Sequence, residues 1–322
     1  MTHVLNNTSI KHNQQTIAFY NLENLFDAVD DTLTYDNDFL AAAVKKWTPK
    51  RYRDKLEKLG FAISNIGRKE TGKHPALVGL AEVENAKVIA DLLASKHLKE
   101  YNYNYVHYNS PDERGIDVAL IYDTDAFEVL HSETFAVALF DNAGLPDYTR
   151  DILLVSGLLD GEPIHVIVNH WSSRREGEKE TAHKRMALSH RVGEIISLLR
   201  SQDKAAKIMV IGDFNDDPHS PSIKQLVNNY NLFNPMETLR SYNRGTTKHH
   251  WQWHLFDQIL ISTNFFKTSS RLFEFRSADI FDADFLKLPK GKYKGVPFRT
   301  YVGKRYQGGY SDHFPVYVIF KR

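Results

Sequence analysis

Between residues 208 and 218 the chain reads IMVIGDFNDDP, an apolar run that stops on Gly212 and at once presents Asp213, Asn215 and Asp216. Such a run reads as a buried strand, and binding groups sit on loops held by a rigid scaffold. A buried strand ending in acids and amides therefore places oxygen and nitrogen ligands at the mouth of a sheet. Gly-Asp and Asn-Asp also serve plain turns, so the weight lies in repetition. Asn21 with Glu23, Glu82, Asn169 with His170, Asp257, and Asp312 with His313 show the same construction.

The segments between these clusters outline the rest. Short apolar strands are expected over 16–20, 77–81, 118–122, most of 127–139, 207–211, 255–262 and 316–320. Residues 151–159 and 164–168 read as a hairpin around Asp160-Gly161. Helices are expected over 51–66, 86–94 and 180–199, the last with Leu188, Val192, Ile195 and Leu199 on one stripe. The tyrosine-rich 101–108 reads as an edge strand. Hairpin-linked strands outnumbering helices point to an α+β architecture with sheets inside and helices outside. No repeat, linker or shift of composition marks a boundary, so a polar lead-in over 1–15 and one domain over 16–322 are expected.

Composition narrows the chemistry. The formal net charge of +1 excludes a globally basic nucleic-acid binder but leaves room for a local basic patch. The absence of cysteine excludes disulfides and thiolate metal sites. No apolar run approaches the roughly 20 residues of a membrane span. The N-terminus lacks the apolar core of a secretory signal, so a cytoplasmic location is expected. Carboxylates and amides without thiolates are the ligand set of a hard cation such as Mg²⁺ or Mn²⁺. Two histidines beside acids or amides add proton transfer near neutral pH. Together these groups suit hydrolysis of a phosphate ester.

The segments FYNLENLFD (19–27), GLAEVEN (79–85), RGIDVALIY (114–122), VNHWSSRR (168–175), IGDFNDDP (211–218), FDQILIS (256–262) and YSDHFPVYV (310–318) resemble, in order, the endonuclease/exonuclease/phosphatase superfamily. The resemblance implies a four-layer α/β sandwich, two packed sheets flanked by helices, with the site across one end of the sheets. It implies Glu82 as the metal-binding glutamate, Asn21 beside it, and Glu23 as a possible further acidic ligand. By the same matching, His170 contacts the scissile phosphate, while Asp213 and Asn215 orient water and hold the phosphate. Asp312 and His313 match the closing Ser-Asp-His, with the histidine a general base or phosphate ligand, and Asp257 matches the acid that orients it. Arg114, Arg174 and Arg175 accompany the motifs and are candidates to hold substrate phosphates bidentately. Ala81 and Asn169-His170-Trp171 depart from the usual residues of the pattern.

Each piece also has a plainer reading. Asn21 and Glu23 suit a turn and cap, Glu82 a helix-entry acid, His170 a core histidine beside Trp171, and Asp257 a buried structural acid. SRREGEKE is as consistent with a solvated helix entry as with a substrate clamp. KHHWQWH (248–254) carries a zinc-like spacing of His250 and His254 without a cysteine to join them. An aromatic substrate-facing loop, then simple packing, is the expectation there. Asp216 and Asp217 are read as turn residues. The functional expectation is a Mg²⁺- or Mn²⁺-dependent nuclease acting on DNA or RNA by direct water attack. Lys45, Lys46, Lys50, Arg51 and Arg53 would supply a basic groove. The alternatives are a phosphatase or phosphodiesterase of a small-molecule or lipid-headgroup phosphate, and a non-catalytic binding module on the same fold. No obligate protein partner is expected.

Overall fold

The computed structural model describes residues 14–29, 37–140, 144–249, 251–266 and 272–322. Most of the expected lead-in, residues 1–13, lies outside these.

Two six-stranded mixed sheets form the centre. The first is built from β1 (Gln14–Leu25), β2 (Leu77–Val83), β3 (Tyr103–His107) and β4 (Asp117–Asp123). The next strands are β5 (Phe127–Phe135), β6 (Ile152–Leu159), β7 (Glu162–His170), β8 (Ile208–Asp213), β9 (Leu232–Phe233) and β10 (Asp257–Ser262), which make the second sheet. The chain then returns to the first sheet with β11 (Glu274–Ile280) and β12 (Val316–Lys321). The orders are β11-β12-β1-β2-β4-β3 and β9-β10-β8-β7-β6-β5. β1 runs parallel to β2, and β7 to β8; the other pairings are antiparallel.

Four helices cover the outer faces: α1 (Pro49–Asn65), α2 (Ala86–Leu93), α3 (Ala182–Gln202) and α4 (Pro221–Asn229). Local chemistry sets their starts. Thr48 caps α1 by accepting from Arg51 N, with Pro49 in the first turn, and Asn85 caps α2 by accepting from Val88 N. Leu188, Val192, Ile195 and Leu199 of α3 are buried with Ile167, Ile208 and Val210 under the second sheet. Leu56, Leu59 and Ile63 of α1 and Val88, Ile89 and Leu92 of α2 belong to the larger core, where the sheets also meet through Phe19, Val168 and Ile211. The sheets approach so closely at Gly79 that an added Cβ would lie 2.6 Å from the Ile211 Cδ1. The result is the expected four-layer α+β sandwich.

The differences from expectation have local causes. β11 has no apolar run: it is an edge strand, half exposed along most of its length and paired on one side to β12. α4 has nine residues and buries Ser222, Ile223 and Leu226, too short a stripe to read as a periodic pattern. Most of 127–139 is a strand as expected, over Phe127–Phe135, and Leu139–Phe140 pairs separately with Pro146–Asp147. The tyrosine-rich strand is indeed at a sheet edge. Among the described residues no helix is long and apolar enough to cross a membrane.

Candidate active site

The two parallel pairs, β1–β2 and β7–β8, bring their C-terminal ends together. Asn21 is level with Ala81, one residue before Glu82, and His170 is level with Asp213. Gly212 is required just before that acid, because a Cβ there would fall 2.4 Å from the Asn169 carbonyl oxygen. Beyond these positions the backbone turns sharply. Glu23, Asn24, Glu82 and Asn215 all adopt left-handed φ angles, between 48° and 62°. That conformation is uncommon outside glycine and clusters at functional sites.

The turns aim side chains at one another. Asn21 Nδ2 donates to Asp213 Oδ2 at 3.0 Å, and Asn215 N donates to Asp213 Oδ1 at 3.0 Å. His170 Nε2 lies 3.8 Å from Asp213 Oδ2 and 3.9 Å from Glu82 Oε1. Glu82 Oε2 accepts from Asn24 N at 2.7 Å, so the glutamate is held by the turn and does not cap α2. Across the gap, His313 Nδ1 is 2.7 Å from Asp257 Oδ2 and 3.9 Å from Asp213 Oδ2. Ser311 seats that loop by donating to Asn21 O at 2.6 Å and accepting from His313 N at 3.1 Å. The structure thus joins Asn21, Glu82, His170, Asp213, Asn215, Asp257 and His313 in one contiguous cluster.

Burial and neighbours separate the protonation behaviour of these groups. Burial raises the Asp213 carboxyl to about 6, against a downward pull from His313 that exceeds the repulsion from Asp257 but does not overcome the burial. Burial disfavours charge on His313, yet Asp257 and Asp213 outweigh it and lift the imidazole well above its ordinary range. His170 moves the other way: burial, then the Arg150 guanidinium, hold it well below that range. Burial would also raise Glu82, but Arg114 and His170 overcome it and bring the carboxyl down to about 2. For Asp312 burial is likewise overcome, by Arg299, His313 and Lys55, and the shift is downward.

A cationic side faces the acids. Arg114 Nη2 stands 3.5 Å from Glu82 Oε1 and donates to Asn24 Oδ1 at 2.7 Å. The exposed Arg175 has its proton affinity lowered by Arg114 first and burial second, so the two guanidiniums share one space. Arg174 donates to Asn215 O and Asp216 Oδ1, both at 2.7 Å, and lies over the Phe256 ring, so it braces the turn. The Glu23 carboxylate accepts from Thr300 N at 2.5 Å and Tyr301 N at 3.3 Å, and Arg299 Nε lies 3.6 Å away, so it anchors the 299–301 loop. Asp312 Oδ2 accepts from Arg299 Nη2 at 2.6 Å. Asp216 also pairs with Arg185, and Asp217 with His254, so both tie loops together beyond making a turn. His250 of the zinc-like spacing lies outside the described residues.

Sequence reading missed Arg150, Lys55 and Arg299. Arg150 donates to Asp112 Oδ2 at 2.8 Å and to Trp171 O at 3.0 Å. Its signal was available: the β6–β7 register, with Leu153 opposite Val168, extrapolates to Arg150 beside Trp171. Lys55 is buried in α1, donates to Glu23 O at 2.5 Å and Thr300 Oγ1 at 2.9 Å, and is lowered by burial to about 8. A lysine within an amphipathic helix pattern gives no such signal, and neither does Arg299 in a loop.

The donor set suits a hard divalent cation, since oxygen atoms dominate and thiolates are absent. Among the described residues one group of three, Asp213, Asp257 and His313, has ligand-type atoms all within 4.8 Å of one another. Asp257 Oδ1 is buried without a hydrogen-bond partner.

The endonuclease/exonuclease/phosphatase family model matches residues 16–322. None of the curated protein sequences matches the chain. Among solved structures, a mannosyl-6-phosphatase from Bacteroides thetaiotaomicron is similar at 18% identity, covering 96% of this chain and 100% of its own, with a TM-score of 0.59. Truncated TDP2 from Caenorhabditis elegans shares 14% identity over 96% and 98% of the two chains, with a TM-score of 0.59. The catalytic domain of human Nocturnin shares 16% identity over 96% and 94%, with a TM-score of 0.58. At these identities the structural likeness speaks for the fold, whereas the family model spans nearly the whole sequence: the chain belongs to the endonuclease/exonuclease/phosphatase family.

Proposed function

We propose that this chain is a divalent-metal-dependent phosphoesterase that hydrolyses phosphodiester bonds by direct attack of water, with nucleic acid as its substrate. The reading rests on one observation. An acid raised to about 6 (Asp213), an imidazole held charged by Asp257 (His313) and a neutral imidazole (His170) face one space together with Glu82 and two arginines.

In this reading Asp213 orients the water and takes its proton. Donors from Asn21 and Asn215 fix the carboxylate and leave lone pairs free. His313, its Nδ1 engaged by Asp257, presents Nε2 to the phosphate and passes a proton to the departing oxygen as the P–O bond breaks. His170 and Asn215 stabilise charge that grows on the phosphoryl oxygens. Arg114 and Arg175 hold the phosphate anion. Glu82, with Asn21 and Asp312, would hold Mg²⁺ or Mn²⁺, which when bound neutralises the phosphodiester charge that otherwise repels water. Glu82 suits this better than the Asp213–Asp257–His313 group, where the His313 Nδ1 is already engaged.

A second reading, hydrolysis of a small phosphate ester, draws on the early basic cluster. Lys50 pairs with Asp54 at 3.0 Å, and Arg51 donates to the carbonyls of Lys45 and Lys46, both at 2.8 Å. The charges of Lys50 and Arg51 are thus engaged within their own chain. The test is a panel of single- and double-stranded DNA, RNA, a small diester and a phosphomonoester, with Mg²⁺, with Mn²⁺ and with EDTA. Metal-dependent cleavage that falls steeply with salt supports the nuclease; salt-insensitive cleavage of the small ester supports the second reading. No hydrolysis of any member, or hydrolysis undiminished by EDTA, overturns both.

A further inference from the structure

The aromatic hairpin Thr247–His249/Gln252–His254 has not been used by the chemistry above. Its two tryptophans have different fates. Trp253 is 9% exposed and stacks on Phe314, ring centroids 6.0 Å apart, so its place in the core is explained by packing. Trp251 is 57% exposed and sits at the tip with φ of 71°. A large apolar side chain shown to solvent on a left-handed backbone is costly twice over.

Trp251 borders a cavity of about 410 Å³, whose lining also includes Lys248, Tyr293, Phe298, Arg299 and Asp312. This volume falls in the range of small-ligand sites, roughly 300–1,000 Å³. The lining includes the bonded Arg299–Asp312 pair, and Asp312 immediately precedes His313 of the reaction centre. The Trp251 and Tyr293 rings of the lining stack 5.0 Å apart at 18°, joining the hairpin to the 288–298 loop. Tyr293 is 51% exposed, and the Lys292 ammonium lies 4.7 Å over the Trp251 ring. A second cavity of about 400 Å³ includes both Trp251 and Trp253, so two cavities border the exposed indole.

Resting on the phosphoesterase reading, we propose that this cavity is the subsite for the nucleobase of the nucleotide whose phosphate lies at the reaction centre. Trp251 and Tyr293 supply the stacking wall. Lys248 and Gln307 supply polar atoms for the base edge, and Arg299 flanks the phosphate. Exposed aromatic rings with cations over them are the platform on which bases stack. An acyl chain would leave Lys248, Arg299, Gln307 and Asp312 facing hydrocarbon, which is unfavourable for polar groups. The cavity's volume favours one base, as at a chain end or in a small nucleotide, over the interior of a duplex.

The test compares adenosine 5′-monophosphate with ribose 5-phosphate, which differ by the base alone, by calorimetry on the full chain in EDTA. The nucleotide is expected to bind at least about ten-fold more tightly, the gain of a single stack. Trp251→Ala should remove most of that ratio, and Trp251→Phe should keep most of it. Equal binding of the two ligands, or a ratio unchanged in Trp251→Ala, overturns the subsite. Hydrolysis with metal, measured on a dinucleotide and a base-free diester, separates the two readings. Base-selective binding without hydrolysis defeats the phosphoesterase reading and leaves the subsite standing; hydrolysis without base selectivity does the reverse.

Discussion

Residues 14–123 and 162–262 trace the same path. Each runs strand, helix, parallel strand, helix, edge strand and antiparallel return, and each sheet is completed by a hairpin beside its first strand. Equivalent slots can therefore be compared. The returning strand starts on an acid in both: Asp117 in β4, opposite Val83, and Asp257 in β10, opposite Asp213. Both acids bond a histidine. Asp117 holds His107 of its own sheet at 3.0 Å and also accepts from Ser110, which closes a loop. Asp257 holds His313, delivered by the chain on its way into the other sheet, and that imidazole faces Asp213. The hairpin loops differ likewise. Before β12 comes His313, bonded to Asp257 of the second half; before β6 comes Arg150, bonded to Asp112 of the first. One cross-half pair joins a carboxylate to an imidazole and the other joins one to a guanidinium. A shared topology supplies the slots, and the side chain that arrives decides between an imidazole facing Asp213 and a guanidinium locking a loop.

The comparison breaks most easily at His313. Asp213→Asn and His313→Ala should each lower kcat by about 10²- to 10⁴-fold, with circular-dichroism melting close to that of the parent for Asp213→Asn and lowered for His313→Ala, which strands the buried Asp257. Full activity in either variant would remove the proton-handling role from this half. Arg150→Met should behave oppositely, costing about 3–5 kcal/mol of stability by stranding the buried Asp112, read by denaturant unfolding. A variant as stable as the parent would show that the pair locks nothing.

The pH profile is the next sharpest test. Asp213 is raised to about 6 and is the unprotonated base of the proposed mechanism, so kcat/KM should fall ten-fold per pH unit as pH drops below about 6. A limb near the ordinary carboxylate range would contradict the burial and Asp257 repulsion that set this value. The smallest effects should separate the neighbouring arginines. Arg175→Ala should raise KM for an anionic substrate by about three- to ten-fold, the loss of one charge-assisted contact. Arg174→Ala should act on melting temperature, because its partners are Asn215, Asp216 and Phe256. Equal KM effects from the two would return Arg174 to the substrate.

Much of this was legible in the chain. Apolar runs ending on polar groups (Asn21, Glu82, Asn169-His170, Asp213) marked β1, β2, β7 and β8, because parallel central strands are buried on both faces. β11 and α4 were not legible, since an edge strand and a short helix bury too little to impose a period. At the candidate site the separate motifs were visible, but their traffic was not. Glu23 and Arg174 carry residue types that suit ligands and clamps, and only the 299–301 loop and the Asp216 turn show that their bonds are already taken. Arg150 could have been placed by counting back along the hairpin; Lys55 and Arg299 could not.

The sequence by itself determined the α+β class and the absence of thiolate chemistry, which follow from composition and from periodicities of a few residues. The four-layer architecture and the membership of acids, amides and histidines in one family of sites were implied by the resemblance of its motifs to the family. The tertiary structure decided which acid is raised and which is lowered, which imidazole is charged, and which of two tryptophans faces a cavity. Charge and burial depend on neighbours that lie up to 192 or 290 positions apart, such as Asn21 with Asp213 and with Ser311. Local sequence carries no record of such distances.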